Sequence, residues 1–156
     1  QESREYYRYK RRCVFCDILR QEVLAEERVV RLTPFFLFLV PYVARAPLET
    51  WIVPRQHHFA FEANSPAAAS DLAQALSGYF QALCRGFGDP SFEMTLHTAP
   101  NLASKLLQEE WATVAEDYHW HLEISVQPER VNRVGGIFIN DTPPEHAAEQ
   151  LRKAWG

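Results

Sequence analysis

Residues 118–126, YHWHLEISV, alternate polar and apolar side chains without a break. Tyr118, Trp120, Leu122, Ile124 and Val126 take one face, and His119, His121, Glu123 and Ser125 the other. A period of two is that of a β-strand with one buried face. Side chains two positions apart on a strand stand ~6.5–7 Å apart, so two imidazoles and a carboxylate share one row. Such a row suits a metal site, a nucleophile with its neighbours, or only the wetter side of a sheet.

The rest of the chain supplies partners for this strand. ERVVRL (27–32) and FFLFLV (35–40) read as strands separated by the turn signal Thr33-Pro34, and ETWIVP (49–54) as a third, ended by Pro54. FEMTLH (92–97) alternates as a fourth, and VGGIFIN (134–140) is strand-like after a Gly-Gly bend. Between them lies a long helix. Ser65 is a good N-cap, Pro66 takes the first helical position, and Leu72, Ala75, Leu76, Tyr79, Phe80, Leu83, Cys84 and Phe87 recur at helical spacing until Gly86 and Gly88-Asp89-Pro90 stop it. CVFCDILRQEV (13–23) suggests a knuckle and a short helix, and 98–117 a loop with a short helix around 103–115. A helix over 142–155, with Thr142 as N-cap and Pro143 at its first position, closes the chain. Several consecutive strands mixed with helices predict an α+β fold with a mainly antiparallel sheet. Residues 1–12 are a polar, basic lead-in, and 13–156 one domain.

Composition removes several function classes. The chain has 156 residues, 47% hydrophobic and 13% aromatic, enough for a real core and too much for disorder. With 16 Lys and Arg against 20 Asp and Glu, no bulk basicity points to nucleic acid, and the run RYKRR at 8–12 reads as a solvated helix end or linker. PFFLFLVPYVA at 34–44, the longest apolar stretch, is broken by Pro41 and is a buried strand rather than a membrane span. No signal peptide is visible, so the expected location is cytoplasmic. The first residue is Gln1 rather than Met, and both a fragment and a complete short chain stay open.

Three cysteines without a secretory signal argue against a disulfide framework. Cys84 falls on the apolar stripe of the long helix and reads as a core residue. Cys13-Val-Phe-Cys16 is different: two thiolates on one tight turn are half of a zinc site. His57, His58, His97, His119 and His121 all lie at or near strand ends, so a tetrahedral Cys2His2 site is easily completed. No thioredoxin-like βαβ pattern supports a redox reading of the pair. A structural zinc would contribute on the order of 10 kcal/mol to folding.

Several stretches together resemble the histidine triad superfamily, and within it most closely the C-terminal half of galactose-1-phosphate uridylyltransferases. They are the Cys-x-x-Cys opening, VPYVARAPLETWIVPRQHH, LHTAP, YHWHLEI and GGIFINDTPPE. The resemblance implies an open antiparallel sheet of about five strands with one long helix and a C-terminal helix. It implies zinc on Cys13, Cys16, His57 and His119, with His58 as runner-up to His57. It leaves His121 where the catalytic copy of such enzymes carries the histidine that attacks the α-phosphorus of UDP-glucose. Imidazole suits that step, being neutral near pH 7, nucleophilic and a good leaving group when protonated. Enzymes of this kind are similar to two fused copies of one fold, so the implied partners are a nucleotide sugar or hexose 1-phosphate and a second copy, fused or as a homodimer. Neither nucleic acid nor membrane is implied.

Two departures weigh on catalysis. Glu123 stands where the catalytic patterns have histidine or glutamine, and ATVAEDY precedes His119 with two acids and no glycine. Both fit a copy that completes a sugar-phosphate site. The alternatives are a stand-alone hydrolase or phosphorylase with His121 as nucleophile, and a zinc-stabilised binding module. In some family members three histidines, at positions matching His97, His119 and His121, hold a second metal. Arg133, Phe138 and Asn140 on the tail are expected to touch substrate, with Arg55 as a candidate phosphate contact and Arg45 of similar standing. Trp51, Trp111, Trp120 and Trp155 read as core or interface residues.

Overall fold

The computed structural model describes residues 2–102, 111–126, 133–134, 137–138 and 140–156, with backbone alone at 133–134 and 137–138. Its centre is a five-stranded antiparallel sheet of β1 (Val29–Leu32), β2 (Phe36–Leu39), β3 (Thr50–Pro54), β4 (Phe92–His97) and β5 (His121–Val126), ordered β1-β2-β3-β5-β4. The helices are α1 (Glu2–Lys10), α2 (Val14–Ala25), α3 (Pro66–Phe87), α4 (Val114–Asp117) and α5 (Pro144–Trp155). A separate two-stranded ribbon pairs β6 (Arg133–Val134) with β7 (Ile137–Phe138).

β2 explains why FFLFLV is apolar at every position. Phe36 and Phe38 face α3 and α5 in the main core, with Ile52, Tyr79, Trp120 and Ile124. Leu37 and Leu39 face the other way and pack with Leu19 of α2 and Val53. A strand covered on both sides loses the polar alternation of a half-buried one.

The long helix matches its sequence signals. Ser65 Oγ accepts the Ala68 N–H at 3.1 Å, and Pro66 opens the helix. Gly86 admits α5: a Cβ there would stand 2.7 Å from Cβ of Ala154. Tyr79 reaches back to the sheet, its hydroxyl donating to Thr50 Oγ1 at 2.9 Å. Cys84 corrects the expectation of a core residue. It is exposed, because the buried side of α3 at that level is taken by Ala82 and Leu83. The closing helix starts later than expected, with Pro143 as its cap; Thr142 instead donates its N–H to Asn140 Oδ1.

The lead-in is helical. Tyr6 donates to Asp17 Oδ2 at 2.7 Å and Arg12 pairs with the same oxygen at 3.2 Å, holding α1 against the first turn of α2. No helix among the described residues is long and apolar enough to cross a membrane. Of the short helix expected around 103–115, residues 103–110 lie outside the described part; α4 begins at Val114.

Candidate metal centre and the histidine row

β5 begins only at His121, because Trp120 sends its N–H to the carbonyl of His58 at 2.9 Å rather than into the sheet ladder. The apolar face behaves as the alternation predicts: Trp120, Leu122, Ile124 and Val126 are all core. Tyr118 is half-buried and borders a cavity with Arg4, Trp111 and Asp117 instead of joining them. The polar face is drier than a sheet surface. His119 is fully buried and His121 nearly so. The start of α2 covers them, and the two histidines enter different clusters.

The first cluster is Cys13, Cys16, His57 and His119, with one donor atom from each, all within 4.8 Å of one another. Cys16 Sγ lies 3.3 Å from His57 Nδ1 and 3.7 Å from His119 Nδ1. A tetrahedral ion with ordinary zinc–sulfur and zinc–nitrogen bonds separates such atoms by ~3.6 Å. His57 Nε2 donates to the Ala115 carbonyl at 2.8 Å, which fixes its tautomer and leaves the Nδ1 lone pair facing the thiol. His58 points elsewhere, its Nδ1 donating to the Ala60 carbonyl at 3.2 Å. Burial, and then the charge of His57, pushes His119 down to about 3. Burial, and then Cys13, pushes the Cys16 thiol up to about 12. His119 and Cys16 therefore resist carrying an isolated charge, and a divalent cation is the group that would make two thiolates stable here. Two sulfurs and two imidazole nitrogens at this spacing are a donor set that zinc accepts.

The second cluster is His97, His121 and Glu123. His97 pairs directly with His121 across β4 and β5, and their rings stack at 4.7 Å. His121 Nδ1 donates to the His119 carbonyl at 3.0 Å, so Nε2 carries the free lone pair, 3.6 Å from Glu123 Oε1. Glu123 Oε2 is 3.3 Å from His97 Nε2 and pairs with Arg45 Nη2. A His121 ring protonated on both nitrogens would hydrogen-bond Glu123, and that interaction, with help from Arg45, holds the Glu123 carboxyl down at about 2.

Arg45, a candidate phosphate contact from the sequence, is exposed in the fold and bridges two carboxylates. Besides Glu123 it binds fully buried Glu49, Nη2 lying 3.1 Å from Oε1. Trp51 Nε1 donates to the same oxygen at 3.1 Å. Sequence reasoning missed Glu49. The i, i+4 spacing of Arg45 and Glu49 was an available signal, muted because the segment is a loop.

The other candidates fare differently. Arg55 Nη1 donates to the carbonyls of Thr33 and Pro34, both at 3.1 Å, stapling the β1–β2 turn. Asn140 Nδ2 donates to the Ala44 carbonyl at 3.0 Å, tying the tail to the β2–β3 loop. For Arg133 and Phe138 the expected contacts concern side chains outside the described part.

The architecture defines a class first: an α+β fold with one open five-stranded antiparallel sheet, as in histidine triad proteins. A histidine-triad-like protein of Bartonella henselae superposes with a TM-score of 0.61 over 90% of this chain and 94% of its own, at 16% identity, a likeness of fold alone. Sequence narrows the relationship to uridylyltransferase-like proteins within that superfamily. The chain is 32% identical over 161 residues to the galactose-1-phosphate uridylyltransferase of Thermotoga maritima, spanning 96% of this chain and 47% of the relative. It is 25% identical over 154 residues to the ADP-glucose phosphorylase of Arabidopsis thaliana, spanning 97% and 40%. A uridylyltransferase structure superposes with a TM-score of 0.82 at 27% identity, over 99% of this chain and 48% of that one. The chain thus spans about half the length of these relatives. No protein-family model matches it.

Proposed function

We propose that this chain is a zinc-binding nucleotidyltransferase module, one domain over residues 13–156, that works with a second copy of its fold on a nucleotide sugar and a hexose 1-phosphate in the cytoplasm. The observation that carries this reading is the division of labour between His119, just before β5, and His121, its first residue. His119 belongs to a Cys2His2 donor set with Cys13, Cys16 and His57, while His121 is kept out of it with its Nε2 lone pair against Glu123. Zinc there would tie the N-terminal knuckle to the sheet and supply folding energy. The half-length match to a uridylyltransferase and an ADP-glucose phosphorylase supports a second copy, fused or associated. The edge strand β4 suits its attachment, since Phe92, Met94 and Leu96 form an exposed apolar row there.

In this reading the module completes a sugar-phosphate site rather than forming the covalent intermediate. Glu123 puts a carboxylate, shared with Arg45, where a phosphate would have to approach His121, and a like charge there opposes the approach. One observation favours the alternative of catalysis within this chain: the tautomer imposed on His121 leaves Nε2 as the nucleophilic nitrogen. Incubation with UDP-glucose or ADP-glucose, followed by intact-mass measurement, separates the two. The module alone is expected to gain no uridylyl or adenylyl adduct while holding one zinc per chain. An adduct lost in His121→Ala would establish His121 as a nucleophile, and absence of zinc from reduced protein would sink the ligand assignment.

A further inference from the structure

The knuckle carries one side chain that neither cluster uses. Phe15 lies between Cys13 and Cys16, yet its ring points along the histidine row. Its centroid is 4.6 Å from that of His121, 6.2 Å from His119 and 6.1 Å from Trp51. His121 has Trp51 at 5.6 Å and His97 at 4.7 Å as further ring neighbours. The sheet supplies Trp51 and His97 from β3 and β4, so these two are fixed by strand pairing. Phe15 alone comes from outside the sheet, on the first turn of α2. That turn has no side-chain cap: Cys13 is the N-cap and makes no capping hydrogen bond.

From this geometry we infer that Phe15 is a positioning residue for His121: it covers the imidazole, and ligation of Cys13 and Cys16 holds it there. The second half of the inference rests on the metal reading above. Two ligands flank the ring at positions −2 and +1, so a cation that fixes both thiolates also fixes the backbone from which Phe15 projects. Once the thiolates are released, the side-chain contacts left at the start of α2 among the described residues include those of Asp17 with Tyr6 and Arg12. Those anchor the face of the helix turned toward α1, not the ring over His121. The metal and His121 would then be coupled through a side chain, although they share no ligand.

Diethylpyrocarbonate, which acylates accessible imidazole nitrogen, reads the coverage directly. Tandem mass spectrometry resolves His121 from His119, and exposed His146 on α5 gives the reference rate in the same sample. In the zinc-loaded protein, Phe15→Ala is expected to raise the rate at His121 about fivefold, the factor that loss of one ring stack gives. Phe15→Leu, which keeps bulk without the stack, is expected to raise it less. Neither should change the zinc content or the rate at His146. Chelation should raise the rate at His121 in the wild type and add little in Phe15→Ala. An unchanged His121 rate in Phe15→Ala overturns the assignment. If the wild type binds no zinc and Phe15→Ala still exposes His121, the metal reading and the coupling fail while the shielding by Phe15 stands. A rise at His146 as well as His121 would mean general loosening and would also overturn it.

Discussion

Two clusters meet at β5, one residue apart on the chain, and they differ in how their charge is balanced. Around His119 are two thiols and a second imidazole. Around His121 are a second imidazole, His97, and the Glu123 carboxylate, and Arg45 links that carboxylate to buried Glu49. As thiolates the first set would need a cation from outside; the second already contains one on Arg45. Spacing on a strand brings histidines together, but the surrounding charges decide what each can do.

The largest expected effect concerns the cation that the first set would take. Chelation should remove on the order of 10 kcal/mol of folding energy. The whole stability of a domain this size is of the same order. Thermal melting by circular dichroism should therefore move to a much lower midpoint on chelation, the sheet keeping a core of its own, and recover when zinc is restored. Cys16→Ser should behave like the chelated protein whether or not zinc is added. A chelated protein that melts unchanged would remove the contrast between the clusters.

Breaking the second cluster should cost less. Arg45→Met leaves the Glu49 carboxylate buried without its principal partner, a penalty of ~2 kcal/mol. It falls at the lower end for buried pairs because the Arg45 side chain is 65% exposed, so water screens the pair. Urea unfolding of Arg45→Met, Glu49→Gln and the double variant measures the coupling. The double variant should be less destabilised than the two single losses summed. Additive losses would mean that Arg45 does not balance Glu49.

Much of this was legible in the sequence, and the failures have specific causes. The strands were readable because their alternation or continuous apolarity reflects which faces are covered. The long helix was readable because Ser65-Pro66 and Gly88 punctuate it. The first cluster was readable because Cys-x-x-Cys is local and its histidines follow strand ends. Cys84 misled because a stripe wide enough to bury eight residues overcounts where the facing element is narrow. His121 looked like part of a wet face because the helix that covers it starts more than a hundred residues earlier. The Arg45–Glu49–Glu123 bridge was hidden for the same reason: it joins a loop to a strand across 78 positions.

Acid should separate the clusters by where stability is lost. His119 is held at about 3 in the fold against an ordinary value of 6.5. Between those values the unfolded chain binds a proton that the folded chain refuses, so stability falls as pH falls through that window, by up to ~1.4 kcal/mol per pH unit from this group. Bound zinc acts in the same direction, since its ligands must shed protons. Glu123 is held at about 2 against 4.5, so its stabilisation is present above 4.5 and is lost as pH falls from there toward 2. Urea midpoints at several pH values should fall in both windows for the wild type. In Glu123→Gln the dependence assigned to Glu123 between 4.5 and 2 should be gone and the upper limb retained. Loss of the upper limb in Glu123→Gln would show that the two clusters do not titrate separately.

The smallest expected effect tests the ligand choice within one dipeptide. His57 and His58 are adjacent, and sequence alone does not rank them by chemistry. Their hydrogen bonds do. His57 gives its Nε2 proton to the Ala115 carbonyl and turns Nδ1 toward Cys16, whereas His58 spends its Nδ1 on the Ala60 carbonyl two residues away. The β3 exit therefore offers one candidate ligand and one turn-stabilising side chain. His58→Ala should cost no more than about 1 kcal/mol, the net value of one hydrogen bond, and should leave zinc stoichiometry at one. His57→Ala should lose zinc during dialysis against a competing chelator under conditions where the wild type and His58→Ala retain it. The reverse order would move the ligand to His58 and require the 57–58 turn to rotate, which would break the bond between the His58 carbonyl and Trp120 N–H that delays the start of β5.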